Sequence, residues 1–409
     1  MAKKKTRPEA EHLLGMTPLE RTSSLLDISV TERGQFRSCH RRWHLQTIEN
    51  LEPKAPTWAL SFGTGIHAAL EAYYTGPIKG RNKRARDAFQ DWYVTTEAQL
   101  KDDDGTPGEL DELYDYCELG HDMLDNYFEY DKRSNVKLGK VLAVEGNFRK
   151  GVPASLRNGH PDYPPEAQPF IDEDAGRVLI PIVNPETHEP IDDRIPCLTM
   201  KLDILTERDT PRKGLWVVDH KTSSSAYNDR GLDFNDQATG YCYGVYRLSG
   251  IVPRGAIFNV LIKERVKEPR VSEKTGALSY AKDQLTTADL YRQALKEHGL
   301  MKGNRITSEK HAECLDALLA RGWRPFFQRL EPTRNEHELI SFERRLAAEY
   351  ADMAYAHEDP DTLAYPNPSE RVCPYCPVAP ICQALEDGSD AVHVIETQFR
   401  QADDRKAAA

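Results

Sequence analysis

A mixed α/β fold is what this 409-residue chain predicts, on three observations. Helical periodicities fill the first third, strand-like patterns crowd between Lys140 and Lys263, and helical patterns return from Leu285. The elements neither alternate as regular βαβ units nor recur at a fixed period, which excludes a solenoid. With 39% hydrophobic and 29% charged residues, there is room for a sizeable core in one elaborated domain or two.

Taken in order, residues 1–25 read as a basic, flexible tail. Residues 26–135 form a helical region. Helical spacing runs through "FRSCHRRWHLQTI" (Phe36–Ile48), Arg86–Gln99, Leu110–Tyr130, and Ile66–Tyr74, the last introduced by "SFGTG" with Ser61 or Thr64 as cap. Residues 136–265 carry the strands "KVLAVEGNF", "RVLIPIV", "CLTMKLDILTE", "LWVVD" and "GAIFNVLIK". They also hold a Pro- and Gly-containing loop, Gly151–Ala167, and one helix, "NDQATGYCYGVYRLSG", closed by Gly250. A charged hairpin-like excursion and helices fill 266–370, a cysteine-rich segment 371–389, and a charged tail, expected to be loose, 390–409.

The formal net charge of −11 runs against a simple nucleic-acid binder, although only the local potential at a groove decides that. Basic runs occur at "KKKTRP", "KGRNKRAR" (Lys79–Arg86) and "KERVKEPR" (Lys263–Arg270), and such runs are most often solvated faces. No apolar run is long enough to span a bilayer, and "MAKKKTRPEAEH" lacks the apolar stretch of a secretory signal, so a cytoplasmic setting without a membrane partner is expected. The pattern G-x-x-x-x-G-K-[ST] is absent, so no intrinsic ATP motor is expected.

The chemistry concentrates in "KLDIL" and "GLWVVDHKTSS". Asp203 and Asp219 end successive strand patterns, and antiparallel neighbours would bring the two carboxylates to one sheet edge. Paired anions repel, and a hard divalent ion such as Mg²⁺ or Mn²⁺ relieves them. Side chains alternate along a strand, so Asp219 and Lys221 share a face. His220 points away, while its backbone carbonyl can still face the metal. Lys221 can then orient a water or stabilise charge on an attacked phosphate. The bland alternative is an ordinary Asp–Lys pair at a strand terminus. In "DQATGYCYG", Gln237 and Tyr241 share a helix face, where an amide and a phenol can bond a phosphate or the ring can stack on a base; packing into the core is the plainer reading. "GTGIHA" fits a dinucleotide fingerprint formally, but the strand and βαβ context it needs are missing.

Eight cysteines in this setting do not suggest a disulfide framework. Cys373-x2-Cys376-x5-Cys382, flanked by prolines, reads as a thiolate site for Zn²⁺ or an iron–sulfur cluster, with Cys39, His40 or His44 as fourth ligand.

Together these motifs resemble the PD-(D/E)XK nuclease superfamily, specifically its RecB-like branch of CRISPR-adaptation and phage recombination exonucleases. The likeness also takes in "SVTERGQFRSCHRRWHLQ", "SFGTGIHAALEAYY" and "VLAVEGNF". It implies a restriction-endonuclease-like fold, a central mixed sheet flanked by helices, with the terminal helical segments joined by a cluster staple. It implies that His67 lies at the metal, that Glu145 is a weaker ligand, and that Asp203, Asp219 and Lys221 are the metal and catalytic positions. Gln237 and Tyr241 would line the DNA path, and Cys39, Cys373, Cys376 and Cys382 would hold a 4Fe–4S cluster, with Zn²⁺ as the alternative. The implied activity is a Mg²⁺- or Mn²⁺-dependent DNA exonuclease on single strands or duplex ends, in recombination, repair or phage DNA metabolism; with no motor encoded, it would either degrade DNA unaided or serve a separate helicase or recombinase. A catalytically silent DNA-binding or assembly module is the competing expectation. Asp219 stands where many members have Glu, and the motifs do not account for the insertions at 150–195 and 264–310.

Overall fold

The computed structural model describes residues 27–54, 58–102, 106–144, 153–172, 177–210 and 212–402. Asp27–Ser29 (β1) leads into Val30–Ser38 (α1), started by a reciprocal cap between Ser29 and Glu32. The helix breaks at Cys39, whose backbone is extended, and resumes as a short turn and the wider helix His44–Ile48. Leu51–Pro53 (β2) follows, then Trp58–Tyr74 (α2), Arg81–Asp102 (α3) and Pro107–Arg133 (α4), the last opened by a Thr106–Glu109 capping box with Pro107 at its first turn. The strands Lys140–Val144 (β3), Phe170–Asp172 (β4), Arg177–Pro181 (β5), Cys197–Met200 (β6), Ile204–Arg208 (β7) and Gly214–Ser223 (β8) come next. Asp236–Ser249 (α5) runs from an Asn235 cap to Gly250, whose φ of 70° is the left-handed conformation that glycine tolerates best. Gly255–Ile262 (β9) is buried along its whole length.

Beyond β9 lie Ala288–Glu297 (α6), the hairpin Met301–Lys302 (β10) and Arg305–Ile306 (β11), Glu309–Arg321 (α7), Phe327–Leu330 (β12) and Glu336–Glu358 (α8). The chain ends in Ala379–Asp387 (α9), Ala391–Gln398 (α10) and Phe399–Gln401 (β13).

The central sheet has five strands in the order β12-β9-β8-β7-β3. β8 and β9 are parallel, joined across one face by α5, and the other pairs are antiparallel. Strand alternation sorts the two faces. Trp216 and Val218 point toward Tyr74 of α2, on the side where α2, α3 and α4 build a core of Phe62, Leu70, Phe89 and Phe128. Leu215 and Val217 point toward the opposite core, where Tyr243 and Val245 of α5 meet Phe342 and Leu346 of α8. A second sheet, β1-β6-β5-β4, joins that core.

Four expectations change. "CLTMKLDILTE" is not one strand: it divides between two sheets, and Asp203 stands immediately before β7 rather than at a strand end. "SFGTG" is inside α2, not ahead of it, because small residues are needed there. A Cβ on Gly65 would lie 2.4 Å from Trp92, and one on Gly63 3.2 Å from Thr222 Oγ1 of β8. The central sheet draws its edge strand β12 from the 266–370 region. Residues 391–401 are not loose, because β13 pairs with β2, with Lys54 and Asn50 bonding to Gln398 and Ala402 beside it.

Candidate active site

Asp203, Asp219, Lys221 and His67 meet where β7 begins and β8 crosses the middle of the sheet. Ile204 pairs with Val218, so Asp203 and Asp219 are the next residues outward on neighbouring strands. Lys221 Nζ lies 2.8 Å from Asp219 Oδ2 and donates to Gln237 Oε1 at 2.9 Å. Gln237 Nε2 in turn donates to the Tyr241 hydroxyl at 2.9 Å. From α2, His67 Nδ1 stands 3.3 Å from Asp203 Oδ1, and the His220 backbone N–H donates to Asp203 Oδ2 at 2.6 Å. The N–H and C=O of one strand residue project to the same edge, so the His220 carbonyl faces the Asp203 side.

Electrostatics separate the two acids. Burial raises Asp219 and the nearby Asp203 charge adds to this, only partly offset by Lys221. Burial would raise Asp203 too, but its His67 and His220 partners outweigh that and hold it below the usual range. Burial opposes charge on Lys221 and His67; the paired carboxylates win, and both are raised.

The opposite face of β8 holds a network the motifs did not reveal. Arg329 Nε donates to Asn259 Oδ1 at 3.0 Å, so the Asn259 amide nitrogen must face the other way. It lies 2.9 Å from both the Tyr127 hydroxyl and His220 Nδ1. His220 Nδ1 is therefore an acceptor and the ring proton sits on Nε2. Burial keeps the ring neutral, with its pKa pushed down to about 3. Tyr74 stacks on the ring at 5.8 Å and His67 meets it edge-on at 5.9 Å. Asn inside "GAIFNVLIK" was the one available signal, a polar residue in a wholly apolar strand.

Other expected residues are placed as follows. Glu145 lies outside the described residues. The Tyr241 ring is buried in the core, so the stacking expected of it is not open to it. Cys39 stands near the C-terminal cysteines: burial raises the Cys376 thiol, and the Cys39 and Cys373 thiols raise it further. Arg41 Nη1 reaches Cys382 Sγ at 3.5 Å, and His40 is bonded to the Leu363 carbonyl. In the runs Lys79–Arg86 and Lys263–Arg270 the arginines are paired within the chain. Arg84 donates to the carbonyls of Ala72, Thr75, Pro77 and Lys79, Arg81 and Arg86 pair with Asp131 and Asp125, and Arg265 pairs with Glu118 and Asp122.

Hard oxygen donors beside one imidazole suit Mg²⁺ or Mn²⁺, and buried Asp219 Oδ2 lacks a well-directed hydrogen bond despite the nearby ammonium. Among the described residues, however, no group of three or more His, Cys, Asp or Glu is arranged to hold a metal ion. The three-side-chain cage expected of His67, Asp203 and Asp219 is thus not preformed, because ion pairs with His67 and Lys221 occupy the carboxylates. The cysteines Cys39, Cys373, Cys376 and Cys382 likewise form no such group.

The profile of the PD-(D/E)XK nuclease superfamily matches residues 27–383. The chain belongs to this superfamily, whose members are typically metal-dependent nucleases with DNA as substrate. No curated protein shows a significant match to it. Among the described residues no helix is long and apolar enough to cross a membrane.

Proposed function

We propose that this chain is a Mg²⁺- or Mn²⁺-dependent deoxyribonuclease, acting as an exonuclease on single strands or duplex ends. The observation that carries the reading is the convergence of Asp203 and Asp219 from neighbouring strands, with Lys221 on the same face as Asp219. Asp203, Asp219 and the His220 carbonyl would hold the ion, with His67 beside it and Glu145 as a further carboxylate. When bound, the ion supplies Lewis-acid polarisation of the scissile phosphate. Lys221 stabilises charge on the phosphate oxygens and orients the attacking water. Gln237 holds the ammonium from the helix side, so the amine is fixed before substrate arrives. His67 steadies Asp203 through its Nδ1 contact.

The cysteines enter this reading as a staple for a 4Fe–4S cluster or Zn²⁺, supported by Cys39 coming within electrostatic reach of Cys376 across most of the chain. Broad visible absorption with bound iron supports the cluster, a colourless protein with one zinc supports Zn²⁺, and absence of both metals contradicts the staple. The nuclease reading is tested by incubating 5′- and 3′-labelled single and double strands with Mg²⁺, Mn²⁺ or EDTA. Cleavage from an end, abolished by EDTA, is expected; binding without cleavage in either metal would instead indicate a silent DNA-binding module.

A further inference from the structure

With the Tyr241 ring buried, the aromatic side chain exposed beside the site is Phe234. It is 89% exposed, the most of any large apolar residue among those described. Leaving such a ring in water forgoes burial worth roughly 1.5–3 kcal/mol, so its position calls for a reason.

Phe234 lies in the connection from β8 to α5, whose far end bonds the catalytic lysine and whose near end comes within its electrostatic reach. Tyr227 is within electrostatic reach of Lys221 and Asp219, and Gln237 accepts the Lys221 hydrogen bond. Gln237 is three positions beyond Phe234, so their Cα atoms are at most about 11 Å apart. At about 3.4 Å of rise per nucleotide, that span matches a few nucleotides of a strand passing Gln237.

The segment is also fixed. Buried Arg334 donates to the carbonyls of Leu232 and Asn235, both at 3.0 Å, and to Thr239 Oγ1 at 2.8 Å. One guanidinium thus clamps the backbone on either side of Phe234. Leu232 is tucked into a core with Phe258 and Val260. Nearby Asp236 is neutralised by Arg33, Arg37 and Arg345. The ring is held outward on a rigid support and loses little freedom on binding.

We propose that Phe234 is a stacking platform for an unpaired nucleobase of the strand entering the catalytic centre. A single flat ring among Asp233, Asn235 and Arg230 is too small and too polar in its surroundings for an apolar protein face. A duplex base is already stacked on both sides; an unpaired base offers a free face. The assignment rests on the nuclease reading and deepens it to a single-stranded substrate.

The test is binding in EDTA of a short oligothymidylate and of an abasic oligonucleotide of equal length. Phe234→Trp should report oligothymidylate by quenching, read against the parent protein's own tryptophans, and respond little to the abasic strand. Phe234→Ala should weaken oligothymidylate binding by roughly 5- to 100-fold, with Phe234→Tyr restoring it. Equal oligothymidylate affinity of Phe234→Ala and the parent overturns the platform, even if cleavage is intact. Stacking without cleavage in any metal leaves the platform standing and removes the nuclease reading.

Discussion

Asn259 has one orientation that satisfies its neighbours, because Arg329 can only donate. That choice fixes the proton of His220 on Nε2 and seats its ring between Tyr74 and His67. Asn259→Asp replaces the donor with an acceptor and should move the ring proton to Nδ1, seen as exchanged ¹⁵N shifts of His220. Cleavage should fall about 10- to 100-fold, as when the outer partners of metal-site residues are lost. Unchanged shifts and full activity would show that the ring is not held by this bond. Asp219 and Lys221 were legible because a strand's period of two puts them on one face. Asn259 was not, since what sets its role, Arg329 at a distance of 70 residues, has no local signature.

At the level of elements, Lys79–Arg86 illustrates what composition hides. A run of cations reads most simply as a solvated face, yet Arg84 closes the end of α2 by bonding its free carbonyls and those of the following turn. Arg84→Ala should lower stability by about 1–3 kcal/mol in denaturant unfolding while leaving DNA affinity unchanged. A large loss of affinity with stability intact would place the run on the DNA path. Helix α5 was readable almost to the residue, from Asn235 to Gly250, because both caps are written in side-chain chemistry. The start of α2 was misread: glycines that normally interrupt helices here let Trp92 and β8 approach. The tail was misread because a three-residue strand has meaning only beside its partner β2.

Over the whole molecule, the helical layer is bound to the sheet by a buried ion pair, Arg329 to Asp131 at 2.6 Å, with Arg81 alongside. Burial alone would raise Asp131, but the guanidinium outweighs it and holds the carboxyl below its ordinary value. A lowered folded pKa lends stability that is complete above the ordinary carboxylate range and is lost as pH falls through the lower value. Asp131→Asn should therefore cost about 3–5 kcal/mol near neutrality, by taking the counter-charge from buried Arg329, and should flatten the acid limb of the stability curve. An acid limb unchanged in the variant would contradict this. The mixed α/β class followed from where the strand patterns crowd, whereas the division into two sheets depends on a switch at Lys201–Asp203 that no periodicity marks. The most direct measurement for the site is the Mg²⁺-dependent rate of cleavage of end-labelled DNA by the parent protein and by folded Lys221→Ala. Cleavage by the parent, falling by about 10²–10³-fold or more in the variant, is predicted; equal rates for the two proteins would contradict the assignment of Lys221 to the reaction.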